Sequence, residues 1–390
     1  MRIGVDATCW GNKRGYGRFT RELLEALVRL DKSNEYVFFV DNETASQHKL
    51  PDTVRTVVAQ TRVSPVRAAA AGGNRSIGDI WSMSRSVMRC PVDVFFFPTM
   101  YSYFPIFRRT KIVVTLHDLI ADNYPQLTFP NARSHFFWRL KQRVAILQAS
   151  VIATVSNYSR SQIMSRFRLP ETRLRVISEA AQPIFCVGED GDGRQAVLSR
   201  LGLRSGDEFL LYVGGISPHK NLSTLVEAFH QIRSESERSI RLVLVGDYKD
   251  DPFLSAYPSL QEQIAQLGLR DSVMFTGFVT DEDLVHLYNS AIALVLPSFD
   301  EGFGLPAIEA MSCGTPVAAS DCGSLPEVLG EAGTYFNPHS ARDIASVVGE
   351  LLNDEGRRQR VRSLGIERSR QFRWERAAEE TLSIFRELHG

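Results

Sequence analysis

Two glutamates flanking a glycine-rich turn are the first candidates for chemistry in this 390-residue sequence. Glu301 and Glu309 lie eight positions apart in FDEGFGLPAIEA, directly after a predicted strand, AIALVLPS. Gly304 lets the backbone approach a ligand closely, and Pro306 suits the first helical position, where its missing N–H is not needed. The N–H groups at such a helix start bind anions, so the two carboxylates can accept hydrogen bonds from hydroxyls on either side of a diphosphate. A capped helix with surface glutamates is the purely structural alternative.

A second glycine-rich loop, GNKRGYGRF, follows the first predicted strand. Gly15 and Gly17 allow a tight turn, and a helix that starts near Arg18 offers N–H groups to an anion. The pattern is also part of a dinucleotide-binding fingerprint, and Asp41 ends the second strand, as a ribose-binding acid would. Two features oppose that interpretation: Thr20 occupies the third glycine position, and the loop is about ten residues long.

Two further polar positions follow predicted strands. His117 and Asp118, in TLHDL, are either a hydrogen-bonded core pair or site residues, because histidine is a frequent acid, base or ligand-binding group. Lys220, in SPHKN, can neutralise an anion, although a lone lysine after a strand is usually solvated.

The elements that must position these residues alternate along the chain. Short β-branched and aromatic runs are separated by helical periodicities, which is typical of parallel sheets covered on both faces. Helices are predicted over 18–30, 221–235, 281–290 and 304–313, and from 340 to the end with a break at 370–374. The predicted strands are 2–7, 36–41, 92–98, 111–118, 151–156, 209–215, 241–247, 273–277, 291–298, 315–320 and 334–337.

The alternation predicts two domains. An aperiodic stretch rich in Gly, Pro and acidic residues, 179–193, marks the boundary. We therefore expect an N-terminal domain over 1–183, which the terminal helix 373–390 rejoins, and a C-terminal domain over 184–372. The tract AAAAGG, residues 68–73, is typical of a flexible loop. Since ligands of open α/β sheets bind at the carboxyl ends of the strands, two such domains predict a cleft between them.

Several segments together resemble glycosyltransferase family 4. EGFGLPAIEAM is similar to the Glu-x7-Glu signature of that family, and matching segments occur in the expected order. They are LYVGGISPHKNLSTLVEAF (211–229), LVLVGD (242–247), VMFTGFVTDEDLVHLYNSA (273–291) and CGSLPEVLGEAG (322–333). The resemblance implies an α/β, GT-B fold: two Rossmann-like, doubly wound domains facing a central cleft, with a C-terminal helix that crosses back to the N-terminal domain.

The resemblance also implies roles for individual residues. Glu309 would bind the ribose hydroxyls, Glu301 the donor sugar, and Lys220 the diphosphate. Backbone groups would hold the distal phosphate at Gly304 and Leu305 and contact the base at Phe278 and Val279. The complete set of donor-binding positions is Gly15, Gly17, Gly215, Lys220, Phe278, Val279, Glu301, Gly302, Phe303, Gly304, Leu305 and Glu309.

His117, Asp118 and Glu301 are the candidate catalytic residues. The matching histidine of the family lines the cleft near the transferred sugar, and Asp118 would orient it. One departure concerns Gly215, which occupies a position where many family members have an arginine. Lys220 alone offers a point charge where a lysine with an arginine would offer a fork.

The reaction implied by the resemblance is hexosyl transfer with retention, from GDP-mannose or a UDP-hexose to a hydroxyl of a glycan or lipid-linked acceptor. Cell-surface polysaccharide or glycolipid synthesis is the implied setting. The leaving diphosphate would help to deprotonate the acceptor on the front face of the sugar. No Asp-x-Asp motif ends a strand, so neither a catalytic metal nor another cofactor is expected. Two alternatives remain: a GT-B epimerase, hydrolase or phosphorylase-like enzyme, and a non-catalytic GT-B binding protein.

Composition and hydropathy indicate the cellular location that we expect for the protein and the state of its cysteines. No window approaches the ~20 apolar residues of a membrane span, and no signal peptide is recognisable, so a cytoplasmic protein is expected. The five scattered cysteines predict free thiols rather than disulfides or a zinc site.

The charge is unevenly placed. Residues 1–185 carry 26 Lys and Arg against 14 Asp and Glu, a net charge of +12, and the remainder carries −12. Six arginines in 53–90, including Arg67 and Arg75, and the aromatic-basic segments 107–111 and 134–143 suggest peripheral contact with an anionic membrane. A helix that packs its aromatics inward, or a pocket for a phosphate-bearing acceptor, fits equally well. Nucleic-acid binding is poorly supported, because no reading motif accompanies the charge.

Overall fold

A computed structural model describes residues 1–65, 76–188, 192–204, 206–236, 238–248 and 254–390. The chain forms two compact units, Met1–Glu179 with Arg373–Gly390, and Ala180–Phe372. The first unit thus ends at Glu179, whereas the sequence led us to expect residue 183. The expected flexible loop at 68–73, with Arg67 and Arg75, lies outside the described residues.

The first unit is built on a seven-stranded parallel sheet in the order β3-β2-β1-β4-β5-β6-β7. Its central strands are buried along almost their whole length, as expected for a parallel sheet covered on both faces. The strands are β1 Arg2–Asp6, β2 Glu35–Asp41, β3 Arg55–Ala59, β4 Val94–Phe97, β5 Lys111–Thr115, β6 Val151–Thr154 and β7 Leu174–Val176. The helices that precede the second unit are α1 Gly15–Leu30, α2 Asn42–Gln47, α3 Ile77–Arg89, α4 Ile120–Asn123, α5 Pro125–Thr128, α6 Ala132–Gln148 and α7 Asn157–Phe167.

The second unit has a six-stranded parallel sheet in the order β10-β9-β8-β11-β12-β13. This is the strand order of the doubly wound dinucleotide-binding fold. The first three strands are added towards one edge of the sheet, and the next three are added towards the other edge. The strands are β8 Glu208–Val213, β9 Ile240–Val245, β10 Val273–Gly277, β11 Ala293–Leu296, β12 Val317–Ser320 and β13 Gly333–Phe336. The helices are α8 Asp192–Arg200, α9 Leu222–Glu235, α10 Tyr257–Gln266, α11 Asp281–Ser290, α12 Leu305–Ser312, α13 Leu325–Leu329, α14 Ala341–Asn353 and α15 Glu355–Ser369.

The last helix, α16 (Trp374–His389), belongs to the first unit. Its Phe385 ring meets Phe96 of β4 edge-on, with the ring centroids 5.6 Å apart. Glu387 pairs with Arg175 of β7 at 2.8 Å. The expectation that the C-terminal helix crosses back to the N-terminal domain is therefore confirmed.

The helices and cysteines can be compared with what composition led us to expect. Among the described residues, no helix combines the length and the apolar composition that crossing a bilayer requires. The five cysteines are free: Cys9, Cys90 and Cys313 are buried, Cys322 is half-buried and Cys186 is exposed.

Candidate functional site

In the second unit, the point at which the sheet reverses its strand order lies between the neighbouring strands β8 and β11. Loops that follow two such strands diverge to opposite faces of the sheet and leave a crevice at the carboxyl edge, where ligands bind. Lys220 follows β8 in a short 3₁₀ turn, and Glu301 follows β11. Two residues that are distant in the sequence are therefore brought to the same edge.

Lys220 and Glu301 form a close, largely buried ion pair. The Lys220 Nζ lies 2.7 Å and 2.9 Å from the two carboxylate oxygens of Glu301. The Ser298 hydroxyl donates a third hydrogen bond to Glu301 Oε1 at 2.6 Å. The side chains of Lys220 and Glu301 are 19% and 13% exposed. A carboxylate that accepts three hydrogen bonds from two donor groups is held in one orientation, so the pair is a preformed site rather than a mobile surface contact.

The electrostatics of Glu301 follow from this arrangement. Burial disfavours its charged form, but the Lys220 ammonium and the hydrogen bonds from Lys220 and Ser298 outweigh the burial. The net result is a pKa of Glu301 below its ordinary value of 4.5. The carboxylate is therefore ionised at neutral pH and acts as an acceptor of hydrogen bonds, not as an acid.

Helix α12 starts beside this pair in a conformation that only glycine adopts easily. Gly304 has φ 94°, and a Cβ there would lie 2.7 Å from Leu325 Cδ2 of α13. Pro306 lies in the first turn, and no side chain caps the helix start. The cap residue therefore makes no side-chain hydrogen bond to the backbone N–H groups in the first turn of α12. An anion site at a helix start requires such N–H groups.

The second glutamate of the motif is buried. Glu309 is 1% exposed and lies on α12, where it accepts a hydrogen bond from the Tyr288 hydroxyl at 2.9 Å. No pattern in the sequence indicated this tyrosine partner. The proposed ribose contact of Glu309 stays a prediction, and it requires that the carboxylate become accessible when a nucleotide binds.

The remaining donor-binding positions of this unit split into two groups. Phe278 is half-exposed, and the Gly215 carbonyl accepts a hydrogen bond from the Tyr212 hydroxyl at 2.8 Å. The others are buried, so any ligand contact would come from their backbone groups. The resemblance implies such backbone contacts at Val279, Gly304 and Leu305, and they stay predictions. These buried residues are Val279, Gly302, Phe303, Gly304 and Leu305.

Asn221 is a site-forming residue that the sequence analysis missed. It adopts the left-handed conformation with φ 58° directly after Lys220. Its side-chain amide donates to the carbonyls of Pro297 at 3.0 Å and Pro338 at 2.7 Å. Asn221 therefore ties the Lys220 turn to the loops that follow β11 and β13. An asparagine beside the lysine was the available signal, because asparagine tolerates this backbone conformation.

In the first unit, the reversal of strand order lies between β1 and β4. Helix α1 begins at Gly15, three residues earlier than the start expected at Arg18. A Cβ on Gly17 would lie 2.2 Å from the backbone oxygen of Asn12, whereas a Cβ on Gly15 would meet nothing within 4 Å. Gly17 is therefore required by the close turn of the loop, and Gly15 is not required by the space around it.

Asp41, the acid that would bind ribose in a dinucleotide site, has another use. It is buried, and its Oδ1 accepts hydrogen bonds from the N–H groups of Glu43 and Thr44 at the start of α2. Asp41 is an N-cap, which accounts for an acid at the end of β2 without a dinucleotide.

His117 follows β5 and is enclosed by groups of the first unit. Its Nε2 lies 3.1 Å from the Pro98 carbonyl oxygen, and its Nδ1 lies 3.4 Å from Glu179 Oε1. The edge of the ring packs against Phe19 of α1 with centroids 4.8 Å apart. Asp118, the residue expected to orient the ring, accepts from the Ile120 N–H at 2.9 Å at the start of α4. Glu179, which the sequence analysis did not consider, places a carboxylate oxygen at ion-pair distance from the imidazole, and the orienting role of Asp118 stays a prediction.

Aromatic side chains border His117. Tyr16, between Gly15 and Gly17, stacks on Tyr101 with centroids 4.8 Å apart. Burial, reinforced by the charge of Asp118, raises the pKa of Tyr101 well above its ordinary value, so its hydroxyl stays protonated. A small pocket at this edge is lined by Thr99, Met100, Tyr101, Thr115, Leu116, His117, Asp118 and Trp138.

Comparison with known families decides which kind of protein carries these two sets of residues. Residues 194–368 match the family Glycosyl transferases group 1, and residues 13–180 match Glycosyltransferase Family 4. O-antigen chain mannosyltransferase B of Escherichia coli is 32% identical over 284 residues, which cover 72% of this chain and 71% of that protein. The chain is a glycosyltransferase of the Family 4 type.

Solved structures place this glycosyltransferase in the GT-B fold. Sucrose-phosphate synthase from Thermosynechococcus elongatus has a TM-score of 0.76 at 20% identity, covering 100% of this chain and 99% of its own. Anabaena HepE in complex with UDP-glucose has a TM-score of 0.73 at 19% identity, covering 98% of this chain and 99% of its own. At these identities the likeness shows the fold alone, and the predicted α/β, GT-B architecture is confirmed.

Proposed function

We propose that this glycosyltransferase moves a hexose from a nucleotide diphosphate sugar to a hydroxyl of a glycan or lipid-linked acceptor, with retention at the anomeric carbon. Mannose is the leading candidate, since the related E. coli protein is named as a mannosyltransferase of O-antigen chains. GDP-mannose and a UDP-hexose are the candidate donors, and HepE, of the same fold, binds UDP-glucose. Cell-surface polysaccharide synthesis is the setting that these names favour.

The observation that carries the proposal is the Lys220–Glu301 pair beside the start of α12. A diphosphate placed there would meet the Lys220 ammonium and the N–H groups of the first helical turn, which both favour negative charge. Glu301 would then exchange its lysine partner for hydroxyls of the donor sugar while Ser298 continues to hold its Oε1. Because Glu301 is ionised, it accepts these hydrogen bonds without a change of protonation.

Retention follows from a reaction on one face of the sugar. The bond between the anomeric carbon and the diphosphate oxygen breaks, and the acceptor oxygen bonds to the same face of that carbon. The acceptor proton passes to the leaving diphosphate, whose growing negative charge Lys220 and the α12 N–H groups stabilise. We propose that no metal or other cofactor takes part.

The mechanism differs from that of a retaining glycosidase, whose two carboxylates lie on both sides of the bond that breaks. Here Glu309 is buried and accepts a hydrogen bond from the Tyr288 hydroxyl, so we do not assign it such a role.

A screen of donors tests the donor site. Thermal unfolding is followed with UDP-, GDP-, ADP- and dTDP-sugars, and we expect one base to raise the Tm by about 5–10 °C at saturation. Lys220→Met should abolish that shift. Lys49→Met, which removes an exposed lysine paired with Asp52, should keep it. A protein that no nucleotide sugar stabilises, or a Lys220→Met variant that responds like the wild type, would contradict the donor-site assignment.

The stereochemistry is tested on the product. The anomeric proton coupling in the NMR spectrum of a freshly formed product should show the configuration of the donor. An inverted product would exclude the front-face mechanism. Transfer of the sugar to inorganic phosphate or water in preference to a glycan or lipid-linked acceptor would favour the phosphorylase or hydrolase alternative, and binding without turnover would favour a non-catalytic protein.

We also propose that the first unit contacts an anionic membrane through a basic aromatic surface, formed by α3, α6 and residues 105–109. Phe136 and Phe137 of α6 are 63% and 53% exposed, and Phe107 is 60% exposed, which contradicts a helix that packs all its aromatics inward. Trp81 of α3 lies beside Phe107 with ring centroids 6.0 Å apart. Large apolar side chains are rarely exposed together unless they meet a partner.

The charges of the basic aromatic surface favour an anionic membrane as its partner. Helix α6 contains no acidic residue, and its four cations are Arg133, Arg139, Lys141 and Arg143. The acidic residue of α3, Asp79, is buried and accepts a hydrogen bond from the Arg62 N–H at 2.9 Å. Exposed aromatics among cations fit the interface of a bilayer that contains anionic lipids.

Vesicle flotation tests this contact. Binding to phosphatidylglycerol-containing vesicles should be strong at low salt and weak at high salt, and absent with phosphatidylcholine alone. Replacing Arg133, Arg139 and Arg143 by Gln should weaken binding about 100-fold, from about 1 kcal/mol for each cation. Leu254→Ser, which removes an exposed apolar residue of the second unit, is the matched control. The absence of binding at low salt would overturn the proposal.

A further inference from the structure

His117 is held between two oxygen acceptors. The Pro98 carbonyl oxygen lies 3.1 Å from Nε2, and Glu179 Oε1 lies 3.4 Å from Nδ1. The side chains of His117 and Glu179 are only 11% and 7% exposed. Phe19 packs edge-on against the ring, so the ring cannot turn freely to face other partners.

The chemistry of imidazole limits what this arrangement can be. A neutral ring carries one N–H, so beside an ionised Glu179 one of its two nitrogens would direct a lone pair at an oxygen lone pair. An imidazolium carries two N–H groups, so it can donate a hydrogen bond to the Pro98 carbonyl and direct the other N–H at the Glu179 carboxylate at ion-pair distance. The negative charge of Glu179 compensates the positive charge of the ring, and a buried carboxylate without such a partner would be costly.

We propose that Glu179 is a positioning residue that keeps His117 in the imidazolium form, with its Nδ1–H directed at Glu179 and its Nε2–H at Pro98. Neither nitrogen then has a lone pair with which to take the proton of an acceptor hydroxyl. His117 is accordingly a fixed cation at the edge of the first sheet and not a general base. This inference rests on the proposed glycosyl transfer only for its catalytic consequence, because the pairing itself is a property of the free protein.

The backbone places Glu179 with little freedom. The N–H of Ile177 donates to the Thr154 carbonyl at the end of β6 at 2.7 Å, and Ile177 and Ala180 are both fully buried. Glu179 is also the last residue of the first unit. The carboxylate is thus fixed at the point where the chain leaves the unit that contains His117.

Groups from two other elements also contact the His117 ring. Phe19, from α1, and the Pro98 carbonyl, after β4, carry no charge. The charged neighbour along the chain is Asp118, whose Oδ1 accepts the Ile120 N–H. Glu179 places a carboxylate oxygen at ion-pair distance from the ring, and its replacement is the informative change.

Nitrogen-15 NMR of the full-length protein tests the proton count directly. In the wild type at neutral pH both ring nitrogens of His117 should give protonated, imidazolium-like signals, assigned by their loss in His117→Gln. In Glu179→Gln the side-chain amide can donate to Nδ1, so that nitrogen should become an unprotonated acceptor. Glu171→Gln, which removes an exposed carboxylate paired with Arg160 of the same unit, should leave the His117 signals unchanged.

Two NMR outcomes would overturn the proposal: an unprotonated Nδ1 in the wild type, or His117 signals in Glu179→Gln identical to those of the wild type. Glu179→Asp keeps the charge and provides a second test if Glu179→Gln does not fold. These spectra need no substrate, so a failure of the proposed transfer reaction would leave their interpretation intact.

Kinetics test the consequence for catalysis. A general base typically contributes about 10²–10⁴-fold and works only while it is unprotonated. A base at His117 therefore predicts that the kcat of the wild type falls towards acidic pH and that this fall is absent from His117→Gln. A fixed cation predicts no fall at acidic pH that depends on His117, and it predicts that His117→Gln and Glu179→Gln lower kcat by a similar factor with little change in the KM of the donor. A fall of kcat at acidic pH that disappears in His117→Gln would restore the role of His117 as a base.

Discussion

At the scale of single residues, the Lys220–Glu301 pair combines two roles that oppose each other. The pair stabilises the fold because each group compensates a charge that is mostly buried. The same pair must separate when a diphosphate takes the lysine, so part of the stabilisation is given up on binding. A site of this kind holds its groups in place before the ligand arrives, which reduces the reorganisation required during the reaction.

Replacing Lys220 by Met should therefore destabilise the protein in a pH-dependent way. At neutral pH the variant leaves the Glu301 carboxylate buried without its cation, and we expect a loss of about 3 kcal/mol in the free energy of unfolding. In the wild type the pKa of Glu301 is lowered, so the stability it contributes is present above the ordinary pKa of 4.5 and is lost as the pH falls through the lowered value.

In Lys220→Met the buried Glu301 carboxylate lacks its cation, so it takes up a proton at a higher pH than in the wild type, and protonation removes the uncompensated charge. The difference in stability from the wild type should therefore begin to shrink above pH 4.5, the ordinary pKa, and continue to shrink below it. Urea titrations at a series of pH values measure this. A difference that stays constant from neutral to acidic pH would show that Glu301 is not the cause. Lys49→Met, at an exposed pair with both side chains 84% accessible, should change stability by less than about 0.5 kcal/mol.

The sequence predicted which residues belong to the site better than it predicted the side chains that contact them. Glu301 and His117 could be selected because each follows a strand, and the sheet brings strand ends together. Lys220 also follows a strand, but it was selected mainly through its position in the family pattern. Glu179, Asn221 and Tyr288 could not be selected in this way. Their roles depend on side-chain contacts between segments far apart in the chain, such as His117 with Glu179, and no local pattern specifies those contacts.

At the scale of elements, the sequence predicted every strand except the two edge strands of the first unit. The buried strands β1, β2, β4, β5 and β6 appear as apolar runs in the sequence. The two edge strands, β3 and β7, were missed. Strand β3 is largely exposed and β7 has only three residues, LRV, so neither has the apolar run by which a buried parallel strand is recognised.

Helix α1 shows how local sterics fix the start of an element. The sequence predicted its start near Arg18, but the helix begins at Gly15. Glycine is a poor helix former, which is why the periodic apolar residues further along dominated the prediction. The loop closes because the Asn12 carbonyl approaches Gly17 where a Cβ would clash.

The two glycines of this loop should respond differently to substitution. Gly17→Ala places a Cβ 2.2 Å from the Asn12 oxygen, and we expect a destabilisation of about 1–3 kcal/mol. Gly15→Ala meets no atom within 4 Å, and should stabilise the protein slightly, by about 0.4–1 kcal/mol.

Denaturant unfolding of the two variants measures the contrast, and transfer activity adds a functional reading. A Gly15→Ala variant that is stable but inactive would show that a ligand approaches the backbone at this position. Equal destabilisation of both variants would mean that the described loop geometry does not control the start of α1.

At the scale of the whole molecule, the chain contains two units with their own cores, and the N-terminal one is completed by the last helix. Helix α16 supplies Trp374, which packs on Phe19, and Phe385, which packs on Phe96. The sequence predicted this return only through the family resemblance, because the amphipathic pattern of a helix indicates that it has a partner but not which partner.

Paired substitutions can show that each core belongs to one unit. Phe385 in α16 and Phe229 in α9 are both fully buried, and each change to Ala should cost about 3–5 kcal/mol. Hydrogen exchange should then lose protection over residues 1–179 and α16 in Phe385→Ala, and over 180–372 in Phe229→Ala, with the other unit retaining its protection. Loss of protection throughout the second unit in Phe385→Ala would contradict this assignment. The assignment matters for function because a stable second unit in Phe385→Ala should still bind the nucleotide through Lys220 and α12, even though transfer is lost.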